Sequence, residues 1–166
     1  METVVRFLEI AVAALIAFLS GRYLKTLDRH KERDKETFTT FLENLPVTGG
    51  ILYIHKHDMA AGIMFSQIQD LFSFVEFSEN HPDFIFIDRS LEKKRGLLID
   101  KLKVFLSELT EATETVREEP LIIKMPQGHL HKDPNYWRET REKLNQRAND
   151  VHELYSKLVI EAKKKL

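Results

Sequence analysis

Within residues 6–35, RFLEIAVAALIAFLSGRYLKTLDRHKERDK, the chain passes from almost pure hydrocarbon to almost pure salt, and this change constrains its fold more than any other feature. Ten apolar residues run without interruption from Ile10 to Leu19, whereas none occurs between Asp28 and Glu36. A buried core helix of a soluble domain leaves that division unexplained. The 21 residues from Val4 to Leu24 would rise roughly 30 Å as a helix, enough to cross the hydrocarbon of a bilayer. Arg6 and Glu9 oppose insertion, but Arg6 lies near the end, where its side chain can reach the interface, and Glu9 sits about one turn away, where the two charges partly neutralise each other. A cleavable signal fits less well, because Glu2 opens the stretch and cleavage after Ser20 or Gly21 would leave Phe18 or Leu19 at the −3 position.

The flanking charge sets an expected orientation. Arg6 precedes the span, while Arg22, Lys25, Arg29, Lys31, Arg33 and Lys35 follow it, so the positive-inside rule puts the C-terminal bulk in the cytoplasm. The organisation expected is a transmembrane anchor over residues 1–24, a charged helical neck over 25–36 and a cytoplasmic helical domain over 37–166, at the inner (cytoplasmic) membrane. Net positive charge is found in the neck and at Lys163, Lys164 and Lys165, while the stretch between is net acidic, which does not indicate a general nucleic-acid face. Cysteine is absent, which removes disulfides, thiolate metal sites and cysteine nucleophiles.

Beyond the anchor the punctuation is helical. Residues 22–45 form one element, with a core beginning near Phe38 and an apolar stripe of Phe38, Phe41, Leu42 and Leu45 that Pro46 ends. Residues 51–57 follow the turn VTGG as either a short helix or an extended piece. Ser66 and Gln69 have capping-box spacing for a helix to about Asn80. The segment DFIFID, residues 83–88, resembles a strand but has no evident partner, so it reads as a buried connector. From Ser90 to about Glu118, Leu91, Leu98, Leu102, Phe105, Leu109, Ala112 and Val116 recur at three- and four-residue steps, with Asp88 or Ser90 as cap. Asp133 and Pro134 start a final helix with Trp137, Leu144, Ala148, Val151, Tyr155, Leu158 and Ala162 on one face. Between these last two helices, EEPLIIKMPQGHLHKDP is expected to be irregular. The fold class expected is all-α: one transmembrane helix followed by an up-and-down bundle of about four helices.

The succession FLENLP, HDMAAGIMF, FIDRSLEKKR and LNQRANDVHELYSKLVIEAKKKL, over roughly residues 41–166, resembles a group of short uncharacterised bacterial helical proteins, some with a hydrophobic N-terminal segment. The resemblance implies a bacterial helical domain and no catalytic residue.

Three constellations are candidates for chemistry. His55, His57 and Asp58 in HKHD, and His129, His131 and Asp133 in HLHKD, offer imidazoles and carboxylates suited to zinc or another divalent metal, provided that the two loops meet. The ordinary fate of such residues beside turns is exposure. In RANDVH, Arg147 and His152 have a spacing similar to the Arg-x4-6-His motif of HEPN ribonucleases, helical proteins in which the pair acts on a scissile phosphate; Ala148 departs from that pattern, and a solvated helical flank is the usual fate of polar residues opposite an apolar stripe. In the span, Ala13, Ala17 and Gly21 form a small-residue stripe that permits close helix–helix approach. No glycine-rich phosphate loop, GxSxG, HExxH or Walker lysine occurs.

Two function classes follow. The preferred one is a non-enzymatic interaction module held at the inner membrane, its partners the lipid bilayer, a second copy through the anchor and an unidentified protein, with no cofactor. The other is a membrane-tethered hydrolase, either HEPN-like or dependent on a histidine-ligated metal.

Overall fold

The computed structural model describes residues 2–127 and 132–166, with side chains for 22–116, 119–127 and 132–166. The chain is mostly helical. Helix α1 (Glu2–Asn44) is long, but every residue from 22 to 33 is exposed, and the first buried residue is Asp34. Among the described residues no helix is long and apolar enough to cross a membrane. The anchor expected over 1–24, and its stripe of Ala13, Ala17 and Gly21, lie almost wholly outside the residues whose side chains are described.

The end of α1 enters the core as its spacing dictates. Phe41 and Leu45, one turn apart, are fully buried. The Phe41 ring meets Phe74 edge-on at 5.5 Å and stacks on Tyr155 at 5.6 Å, so α1 lies between the helices that carry those two rings. Pro46 follows directly, and the chain turns into α2 (Gly50–Lys56), so the stretch 51–57 is a short helix up to Lys56, with His57 extended as its C-cap. Two glycines are required there. Asp70 accepts a hydrogen bond from the Gly50 N–H at 2.8 Å, and a Cβ on Gly50 would collide with that carboxylate and stand 2.8 Å from Leu71 Cγ.

A short strand β1 (Ile63–Met64) and one 3-10 turn (Phe65–Gln67) precede α3 (Gln69–Asn80). Ser66 therefore lies inside the turn, the N-cap position falls on Ile68, and the expected capping box does not form. Residues 83–88 are a connector with Phe84 and Phe86 buried, as the lack of a partner strand implied. Helix α4 (Arg89–Ala112) is capped by Asp88, whose side chain accepts from the Ser90 and Leu91 N–H groups. It ends at Ala112, six residues before the periodicity suggests. Thr113, Thr115 and Val116 are β-branched, and the chain continues as β2 (Glu114–Glu118), turns at Glu119–Pro120 and returns as β3 (Leu121–Lys124).

The connector expected to be irregular thus holds a hairpin. β3 also pairs with β1, Ile63 opposite Ile123, giving an antiparallel sheet in the order β1-β3-β2. The all-α expectation is corrected to that extent. The final helix α5 (Pro134–Lys165) begins at the expected Asp133 cap, whose side chain accepts from the Tyr136 N–H.

Helices α4 and α5 run antiparallel and carry the core seam. At one end Lys165 pairs with Asp88 at 2.8 Å, and Lys94 with Glu161 at 2.5 Å. At the other, Glu108 takes Lys143 at 2.9 Å and Arg147 at 3.3 Å. Leu91, Leu98, Leu102, Phe105 and Leu109 fill the space against Leu144, Ala148, Val151, Tyr155, Leu158 and Ala162. Asp34 joins α1 to the first of these ends. With 3% of its surface accessible, its carboxylate accepts from the N–H of Ile87 at 2.5 Å and of Asp88 at 2.9 Å. This is where α1 leaves the domain.

Candidate functional site

The residues singled out in HKHD and RANDVH meet along one flank of α5. Arg141, Asn145, Asn149 and His152 recur every three or four residues, so they form a polar stripe beside the apolar one. Each engages the segment from α2 to Ala61. Arg141 binds both oxygens of Asp58, its Nε at 2.9 Å from Oδ1. Asn145 accepts from the Met59 N–H at 3.0 Å and donates to Asp58 at 3.4 Å. Asn149 Oδ1 lies 2.9 Å from His55 Nδ1, and the His55 and His152 rings stack with centroids 3.9 Å apart and planes 5° from parallel.

The electrostatics describe a clamp. Arg141 holds the Asp58 carboxyl well below its ordinary value, more strongly than burial raises it, and the Ala60 N–H adds to the effect. Burial, and then the neighbouring His55, lowers His152. His57 turns away from this flank to stack on Tyr53 at 4.7 Å, and its Nε2 is buried without a hydrogen-bond partner. It borders a depression of about 320 Å³ with Thr48, Leu52, Tyr53, Lys56 and Gln67.

The sequence candidates are brought together only in part. His55 and His152 are in contact, although they were expected to belong to different sites. Arg147 and His152 face different neighbours: Arg147 reaches α4 through Glu108, and His152 reaches α2 through His55. Burial acts to raise the Glu108 carboxyl, but hydrogen bonds from Lys143 and Arg147 outweigh it and hold the group below its ordinary value. Arg147 is therefore committed to a carboxylate. His129 and His131 lie outside the described residues. Asp133 spends its side chain on the first turn of α5, eight residues and about 12 Å of helix from Arg141. Among the described residues no group of three or more histidines or carboxylates is arranged to hold a metal ion.

Sequence reasoning missed Asn145 and Asn149. Their signal was available: a four-residue polar repeat alongside an apolar stripe marks a helix flank that docks something polar. As it stands, the constellation is suited to fixing α2 on α5. No family model, curated protein or solved structure matches the chain.

Proposed function

We propose that the chain is a membrane-anchored interaction module: a helical domain held at the cytoplasmic face of the inner membrane on a helical neck, with a second copy met through the Ala13, Ala17 and Gly21 stripe. The observation that carries this reading is the neck. Residues 22–33 stand exposed on every side, although Tyr23, Leu24 and Leu27 are apolar, and they separate the apolar stretch from the first buried residue, Asp34. A helix that projects bare from a packed domain finds its remaining contacts outside that domain. The committed contacts of Arg147, His152, His55 and Asp58 favour a binding role over hydrolysis, because the side chains that would do chemistry are already holding helices together.

Reporter fusions after Leu166 in intact bacterial cells test the topology. Cytoplasmic activity is expected. Cleavage of the domain by protease added from the periplasmic side would overturn the orientation, and recovery of the protein in the soluble fraction would overturn the anchor.

A further inference from the structure

Two basic runs that lie far apart in the sequence share one end of the domain, the end from which the neck emerges. Asp34 fixes the exit of α1 to the N–H groups of Ile87 and Asp88, and Asp88 in turn binds Lys165 at 2.8 Å. The first turns of α4 and the last turns of α5 are therefore level with Asp34. Their acids are used internally. Asp88 caps α4, Glu92 takes Arg95 and the Phe86 N–H, and Glu161 takes Lys94, Lys165 and the Ser90 hydroxyl. What remains outward is cationic: Arg89 and Lys93 from α4, and Lys163 and Lys164 from α5, all exposed and, among the described residues, without a partner.

From these placements, and resting on the anchored reading above, we infer that this end face binds the anionic headgroups of the bilayer that holds the chain. The neck supplies a second, independent observation. Tyr23, Leu24 and Leu27 are 66%, 60% and 44% exposed, and a tyrosine with two leucines beside a span suits the interfacial layer. Placing Leu24, the end of the span, at the hydrocarbon boundary leaves ten residues to Asp34, about 15 Å of helix. The headgroup layer occupies roughly 5 to 8 Å of that distance, so the four cations stand about one Debye length, roughly 8 Å, from the headgroups. Each then favours an anionic leaflet about fivefold. Asp88, Glu92 and Glu161 are balanced on the same turns by Lys165, Arg95 and Lys94, so Arg89, Lys93, Lys163 and Lys164 give these turns their positive sign.

The test uses the full-length protein reconstituted into vesicles or nanodiscs of phosphatidylcholine alone or mixed with phosphatidylserine. Flotation first establishes that the protein stays with the lipid. Amine acetylation, read by mass spectrometry, is then followed at Lys93, Lys163 and Lys164, with Lys56 and Lys132 as references remote from the face. Phosphatidylserine should slow acetylation of the first three roughly threefold to tenfold and leave the references unchanged, and high salt should remove the difference. Equal rates in the two lipids, with the protein still floating, overturn the headgroup site but not the anchor. Failure to float overturns both. Protection by added RNA and not by phosphatidylserine overturns the lipid assignment in favour of a nucleic-acid occupant.

Discussion

Replacing Asp34 with alanine should destabilise the domain far more than a neck residue ought to. The carboxylate is almost fully buried and is the acceptor for two backbone N–H groups, those of Ile87 and Asp88. The alanine methyl accepts neither. A buried donor left without an acceptor costs about 1 to 3 kcal/mol, so the pair predicts a loss of about 2 to 6 kcal/mol, lessened if water reaches the gap. The loss should not stay local, because the same peptide leads into the Asp88 cap of α4 and the Lys165 ion pair. Urea denaturation of the protein in detergent, followed by the fluorescence of its single tryptophan, Trp137, measures the change directly. Lys35→Ala is the control, since it removes only an exposed pair with Glu32 and should change stability by less than about 0.5 kcal/mol. A loss below about 1 kcal/mol for Asp34→Ala would refute the clasp and detach the neck from the core.

Two helical glycines, Gly50 and Gly96, should respond oppositely: Gly50→Ala forces a methyl against Asp70 and Leu71 and should destabilise, whereas Gly96→Ala, with open space around it in mid-α4, should stabilise by about 0.5 to 1 kcal/mol. Thermal melts decide between these signs. His152 is held below its ordinary 6.5, so the folded chain binds that proton less readily than the unfolded one; stability is full above pH 6.5 and declines as pH falls through the window below it. His152→Gln should flatten the decline in urea midpoint between neutral pH and about pH 5, and an unchanged slope would remove the buried His152 as its source. Below that range the paired carboxylates act: Glu161, lowered to about 2 by Lys94 and then by Ser90 and Lys165, contributes stability that is lost as pH falls from 4.5 toward 2. If the anchor stripe packs, Ala13→Leu with Ala17→Leu should reduce crosslinked dimer while changes among large residues at Leu15 and Phe18 do not, and equal crosslinking in both sets discards the interface.

The elements legible in the sequence were those whose signals are local. Asp88, and Asp133 with Pro134, mark the starts of α4 and α5 because a cap acts on N–H groups two or three residues away. The seams of both helices follow from a period that spans only a few turns. The features missed depend on distant partners. The apolar period runs through Ala112 to Val116, so nothing nearby stops α4. Its end is decided by β3 pairing both with β2 and with Ile63, about sixty residues back. Pro120 lies in the connector expected to be irregular, although two residues between ETVRE and LIIK also suit a hairpin turn. Asp34 sits in HKERDKE among charges of every kind, and only the fold distinguishes the one that bonds a peptide 53 residues later. At the candidate site the histidines drew attention as ligands, while the asparagines that dock the α2 segment, Asn149 on His55 and Asn145 on Met59 and Asp58, did not, because asparagine between charged residues looks like solvent-exposed helix.

The contact between Tyr155 and α1 has a consequence for how the chain is made. Tyr155 stacks on Phe41 and donates its hydroxyl to the Leu45 carbonyl at 2.9 Å, across 110 residues. During synthesis α1 leaves the ribosome before α5. At about 5 to 20 residues per second, the apolar edge of Phe41 and Leu45 waits roughly 6 to 20 seconds for the helix that covers it. Throughout that interval the nascent chain presents two apolar segments, the run from Ile10 to Leu19 and, beyond the neck, the Phe41 and Leu45 edge that α5 will cover. The salt-rich stretch from Asp28 to Glu36 separates the two until that cover has been translated.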